Sequence, residues 1–406
     1  MRRKSLYFCL LVIPLLQYHG ICDAAPYLAF CKSSVADVVS RPFEHDNSTY
    51  EEIKHYYDTL PVSWGPSQID KLACPRIHQL LLHEIVTVLE ETQFEAHIEI
   101  SPLVAARDEQ TLESVQGWIL KEHICLVEEE CLPFLPQPID WQSGTICDND
   151  QIIALISPYI DHDNRLYSAG TRFVLTREID ENFHAITFDE QLNNFKEISI
   201  PQQLCAYQPT LAPYDKRMLF CTLVSLWSEI PGLAIPLVWG GASIGGAYKD
   251  DDYYLQEHQI SDQKLQVWER PLYGFTQHMG IDASNLVSRA AQLVGIPYFW
   301  KNSFTASLML DELKVDEYPL EGDLIWMPGS LLILNDLEHN SIVTTMSYTS
   351  GYGTLLKLPL AAVFKDITTI DDLLAARNSG SPLTVLDRDG SIARIVDTFK
   401  ILKLIS

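Results

Sequence analysis

"GIDASNLVSRAAQLVGIPY", residues 280–298, decides the fold. Ala283, Leu286, Val287, Ala290, Ala291 and Val294 recur at helical spacing and line up as one apolar stripe. Asp282 stands where an N-cap belongs, and Gly295 with Pro297 ends the run. The spacing predicts a helix over 283–294 that buries one face. The start of such a helix stabilises an anionic nucleophile, through unpaired N–H groups and the positive end of the helix dipole. Here the first helical residue is Ala283, and a methyl group cannot attack a carbonyl.

The segments around this helix place it in an α+β unit. Upstream, "YDKRMLFCTLVSLWSEI" (214–230) has helical periodicity and stops before Pro231-Gly232. "IPLVWGGASIGG" (235–246) follows, and the polar run "YKDDDYYLQEHQISDQ" (248–263) is expected to be an exposed loop. Downstream, "GDLIWM" (322–327), "SLLIL" (330–334) and "NSIVTTMSY" (340–348) are strand-like, with a turn expected at Asn335-Asp336. Helices followed by antiparallel strands make 211–406 one α+β domain with a C-terminal extension. The 283–294 helix is expected to pack on the sheet that holds Leu324, Ile325 and Leu332.

Residues 26–210 read as β-rich. "HEIVTVLEE" (83–91), "FEAHIEI" (94–100) and "GWILKEHICLVE" (117–128) form one set of strand-like runs. "DQIIALI" (150–156), "GTRFVLTREI" (170–179) and "NFHAITFDE" (182–190) form another. Between them "CLPFLPQPIDWQSG" (131–144) has the prolines of a linker. Two small β-barrel domains, 26–135 and 136–210, are the economical reading; one larger sandwich is the alternative.

The chain has 406 residues, 47% hydrophobic, with 54 acidic side chains against 29 basic ones. A net charge of -25 offers no positive patch from which a nucleic acid could release counterions, so nucleic-acid partners are excluded. Met1-Arg2-Arg3-Lys4, the apolar run Leu6 to Leu16 and the small residues before Ala25 read as a secretory signal peptide over 1–24. The mature chain is expected to be secreted, to the periplasm or cell envelope, with no transmembrane segment. Its seven cysteines (31, 74, 125, 131, 147, 205, 221) include no CxxC pair, which argues against zinc. One or two disulfides are compatible with export, leaving at least one thiol free or paired between chains. No cofactor or metal is expected. His78 and His83, five apart in a β run, fall on opposite faces and make no metal pair.

Three stretches in order, "PLVWGGAS" (236–243), "GIDASNLVSRAAQLVGIPY" (280–298) and "EGDLIWMPGSLLIL" (321–334), resemble the NlpC-type cell-wall cysteine endopeptidases. The resemblance covers about 214–365 and implies a papain-like domain. The two upstream units look, more weakly, like the bacterial SH3-like domains of multi-domain relatives. Laid onto the family pattern, the nucleophile falls on Ala283, the base on Ser330 and the orienting group near Val343-Thr344. Asp282 and Ser284, which flank the nucleophile and help hold substrate, are present, as is Trp239 with Gly240-Gly241. The glycine after Ser284 is replaced by Asn285. No cysteine follows Cys221, and the histidines of this region are His258, His278 and His339. His339, in "NDLEHN", reads as solvated.

The resemblance implies a secreted, catalytically silent homologue that binds cell-wall stem peptides or acts as a scaffold or regulator. Two alternatives stand beside it. One is a hydrolase with a rearranged centre, for which Ser284 is the substitute nucleophile. The other is an interaction module whose SH3-like pair binds another cell-envelope protein.

Overall fold

The computed structural model describes residues 25–60, 75–137, 139, 151–189, 193–207, 212–230, 233–245, 247–248, 256–260, 263–267, 279–347 and 350–405. The signal-like segment 1–24, residues 138 and 140–144 of the proline-rich linker, and His278 lie outside them.

The first strands are β1 (Tyr27–Cys31), β2 (Val35–Val39), β3 (Arg76–Leu81), β4 (Ile85–Glu91), β5 (Glu95–Ala106), β6 (Leu112–Leu120) and β7 (Ile124–Leu126). They form one antiparallel sheet in the order β3-β2-β6-β5-β4-β1-β7. β3 and β7 end the sheet without pairing, so the expected barrel does not close. A helix the sequence reading omitted, α1 (Tyr50–Asp58), follows β2. Its Thr49 and Glu52 make a reciprocal capping box, and that spacing was its one local signal.

The second set is β8 (Ile152–Leu155), β9 (Tyr159–Ile160), β10 (Leu166–Tyr167), β11 (Arg172–Ile179), β12 (Asn182–Asp189), β13 (Asn194–Pro201) and β14 (Cys205–Tyr207). The order β13-β12-β11-β8-β14 is again open, with β9 and β10 paired apart. The two sets share a core: Phe30 and Leu82 from the first pack with Ile153, Phe173 and Phe183 of the second. His83 is not on a strand at all. It sits in the turn after β3 with φ 70°, its Nδ1 3.2 Å from the Arg172 carbonyl. Burial holds its imidazole down at about 3. Of the described cysteines, Cys125, Cys131, Cys205 and Cys221 are free thiols.

The last unit begins with α2 (Pro213–Ser228), β15 (Leu233–Ala234) and β16 (Ala247–Tyr248). Within the run expected as a loop, β17 (Gln256–Ile260) pairs with β18 (Gln263–Val267) as a hairpin that carries His258. α3 (Ala283–Val294) and α4 (Ser303–Met309) follow. Then come β19 (Leu324–Met327), β20 (Ser330–Asp336), β21 (Ser341–Thr345), β22 (Leu355–Pro359), α5 (Leu360–Val363), α6 (Ile370–Ser379), β23 (Leu383–Leu386), β24 (Ile392–Val396) and β25 (Lys400–Leu402). β20 runs through Asp336, so its turn comes two residues later than expected, at 337–340.

Side-chain alternation divides this sheet, ordered β22-β21-β20-β19-β25, into two faces. Leu324, Leu331, Ile333 and Val343 pack against Leu286, Val287, Ala290 and Val294 of α3 and against α2. Ile325, Leu332, Leu334 and Ile342 point the other way, into a core with Phe364, Leu373, Val385 and Phe399. α3 therefore meets Leu324, as expected, while Ile325 and Leu332 lie under the C-terminal segments. The C-terminal extension is a third layer.

Candidate functional site

α3 forms where its stripe predicts, and Gly295 closes it in the left-handed conformation. Asp282 caps the other end. Its Oδ1 accepts from the Asn285 N–H at 2.7 Å, and its Oδ2 accepts from the Gly240 N–H at 3.1 Å and Asn285 Nδ2 at 3.0 Å. The residue is half-buried, but its carboxylate turns inward, and desolvation pushes its pKa up. Asn285, fully buried, also donates from Nδ2 to the Gly241 carbonyl at 2.9 Å. A glycine would keep the backbone bond to Asp282 Oδ1 but has no Nδ2 to reach Asp282 Oδ2 and the Gly241 carbonyl, so the asparagine adds a tie between loop and helix.

That loop is also held from the N-terminal sheet. Gly240, at φ 71°, lies so close to β3 that a Cβ there would sit 2.5 Å from the Arg76 carbonyl oxygen. Gln79 Oε1 accepts from the Ala242 N–H at 3.0 Å and from Ser243 Oγ at 2.9 Å. Its Nε2 donates to Asp37, which also pairs with Arg76. On α3, buried Arg289 donates to the Ala242 and Gln79 carbonyls and forms an ion pair with Glu84.

The same contact brings in a histidine that sequence reasoning did not connect with the site. His78, on β3, is buried against Asn285 with Lys301 and Arg289 nearby. Burial holds its pKa well below the ordinary imidazole value, with the two cations adding to the effect. Among the described residues its Nδ1 has no hydrogen-bond partner, and neither do Asn285 Oδ1 and Tyr298 Oη. Nothing local in the sequence marks His78, because its neighbour lies in a different unit.

The remaining candidates are placed as follows. Ala283 opens α3, half-buried, its methyl packed on the core. Ser284 is half-buried. Trp239 is 45% exposed. Ser330 pairs with Met327, whose side chain belongs to the far face of the sheet. Thr344 lies between Val343 on the α3 face and buried Thr345, so alternation puts it on the far face too. Its hydroxyl donates to the Leu331 carbonyl at 3.0 Å. Ser330 and Thr344 are thus not turned towards Ala283. On the α3 face of β20 and β21, Leu331, Ile333 and Val343 pack in the α3 core, and by alternation Ser341 and Thr345 share the face with Val343; neither strand holds a cysteine or a histidine. His339 is exposed in the turn after β20 and contacts Asp336 at 2.9 Å. Among the described residues no group of three or more His, Cys, Asp or Glu side chains is disposed to hold a metal. No described helix is long and apolar enough to cross a membrane.

No family model and no curated protein matches this chain. Solved structures do. An NlpC/P60 family protein from Bacillus cereus ATCC 10987 is 14% identical, with a TM-score of 0.50 over 82% of this chain and 94% of that one. NlpC2 from Trichomonas vaginalis covers 82% of this chain and 94% of its own at 8% identity and a TM-score of 0.29, too distant to argue from. At this level the likeness is one of architecture: the chain has the fold of an NlpC/P60 family protein.

Proposed function

We propose that the chain is an exported, catalytically silent homologue of the cell-wall cysteine endopeptidases that binds peptidoglycan stem peptides. One observation carries this reading. α3 begins with a methyl group where the nucleophile belongs, and β20 and β21, the strands on which the family's base and orienting positions fall, hold no cysteine or histidine. An acyl-transfer centre needs a nucleophile within hydrogen-bond reach of a base. Shifting the alignment by one residue puts Leu331 in place of Ser330 and restores nothing. Loss of a nucleophile alone costs on the order of 10⁶ in kcat.

Binding groups remain. Ser284 presents a hydroxyl with no hydrogen-bond partner among the described residues, and Trp239 presents a half-exposed indole for apolar contact. Asp282 contributes charge at the helix start. With both oxygens engaged by Asn285 and Gly240, it acts on a ligand amine through its field rather than by a direct bond. That saturation is also what favours the runner-up, a protein-interaction module in which the cleft is a relic.

Incubation with purified sacculi tests the reading: retention on the pellet with no release of soluble stem peptides is expected. Release by the unmodified protein, abolished by Ser284→Ala, would overturn the silent assignment. Ala283→Cys alone should remain inactive, because the thiol gains no imidazole. Failure to be retained by sacculi of any stem composition would leave the interaction reading as the better one.

A further inference from the structure

Six of the eighteen large apolar side chains exposed among the described residues fall within residues 304–320: Phe304, Leu308, Met309, Val315, Tyr318 and Leu320. Val315 is 74% exposed and Leu320 57%. Contiguous exposed apolar surface marks interaction sites where singly scattered residues do not, and these six follow one another along α4 and the segment that leads to β19.

The stretch is held in place. α4 is capped by Asn302 and fastened to β5, where the Ala106 N–H donates to Thr305 Oγ1 at 2.8 Å. The next residues lie beside β25, with Leu313 N–H donating to Ile401 and Lys403 N–H to Asp311. The turn after them closes through Lys314 N–H to Glu317 at 3.0 Å, Arg377 to the Leu313 and Lys314 carbonyls, and the Glu317–Lys403 ion pair at 2.6 Å. A partner would meet a surface already ordered, which lowers the entropic cost of binding.

Charge and backbone decide what that partner is. Within 304–321 there are five carboxylates, at 311, 312, 316, 317 and 321, and one lysine, Lys314. Lys400 and Lys403 offset Glu312 and Glu317; of the other three carboxylates, Asp316 and Glu321 flank Val315 and Leu320, with Asp371 beside Tyr318. Carboxylates repel an anionic membrane surface. Residues 311–313 cover the edge of β25, so an added strand finds no edge there. What is presented is side chains, the currency of helix-in-groove recognition.

We propose that residues 304–320 form a docking surface for a cationic amphipathic helix of a partner protein. It uses none of the candidate residues at the start of α3, so it is tested independently of stem-peptide binding.

The test uses the full chain and a labelled helical peptide of leucine and lysine, with leucine at i, i+3, i+4 and i+7, followed by fluorescence anisotropy. Saturable binding that weakens with salt is expected. The double change Val315→Ser and Leu320→Ser should weaken it about tenfold or more, since each side chain loses most of its apolar burial. Asp316→Lys should also weaken it, while Tyr214→Ser and Met218→Ser on α2 should leave it unchanged. Circular dichroism would show that each variant is folded. Equal binding of a leucine–glutamate peptide, indifference to the changes at 315 and 320, or preference for phosphatidylglycerol vesicles over the peptide would each overturn the proposal. So would sedimentation showing that the same residues bury themselves against a second copy of the chain.

Discussion

α3 and the segments after β22 both depend on contacts beyond their own local structure, and they obtain them by opposite means. α3 is joined to the N-terminal sheet through charge and hydrogen bonds: Arg289 to Glu84, to the Gln79 carbonyl and to the Ala242 carbonyl, with Gln79 holding the 236–243 loop. The C-terminal layer is joined to the sheet through oil: Phe364, Leu373, Val385 and Phe399 against Ile325, Leu332, Leu334 and Ile342. The polar join is directional and fixes one register. The apolar join is roughly proportional to buried area and tolerates rearrangement. The start of α3, with its candidate binding groups, is on the directional side.

Four measurements would break or sharpen this contrast. Arg289→Ala should be the most costly, about 3–5 kcal/mol, because it strands Glu84 and two carbonyls in a buried interface. A fall in the urea midpoint with unchanged slope would register it. Gln79→Ala should cost about 1–3 kcal/mol by leaving the Ala242 N–H without an acceptor and the Ser243 hydroxyl with only the Gly280 carbonyl at 3.4 Å. Hydrogen exchange should show lost protection confined to residues 236–243 and the cap of α3. Phe364→Leu should cost less than about 1.5 kcal/mol, since the apolar layer can repack. If it destabilised more than Arg289→Ala, the contrast would fail.

The smallest effect at near-neutral pH is proton linkage. His78 and His83 are buried and held neutral, with folded pKa values below the ordinary 6.5. The unfolded chain takes up protons that the folded chain refuses. The stability from this source is complete above pH 6.5 and is lost as pH falls, down to about 3 for His83. At pH 6.5 each histidine contributes a loss of about half a kcal/mol. Asparagine suits the left-handed turn, so His83→Asn should flatten the stability–pH curve there without breaking the backbone.

The helix at the heart of the site was legible because its signals are local. The stripe from Leu286 to Val294, the cap at Asp282 and the stop at Gly295 all lie within sixteen residues, 280–295. The strands were legible for the same reason. What the sequence did not reveal is pairing between distant segments. Nothing around Arg289 says that its carboxylate partner is Glu84. Nothing around Ser330 says which face of β20 it takes, because that depends on register against β19. The hairpin β17–β18 was hidden by a polar composition that suits a loop equally well, and α1 by the absence of a long apolar stripe.

Arg289 and Glu84 also bear on the order of events as the chain leaves the ribosome. The N-terminal sheet emerges first, carrying Glu84 and Gln79, but their partners on α3 and in the 236–243 loop are made only after a second set of strands has followed. Contacts of such long sequence separation must wait for loop closure and make folding slow. During that interval the face of β3 that will receive the loop and α3 stays open to water or to a chaperone. A nascent chain released before residue 289 carries that face unfilled, so a helix made two hundred residues later is what completes the first-made sheet.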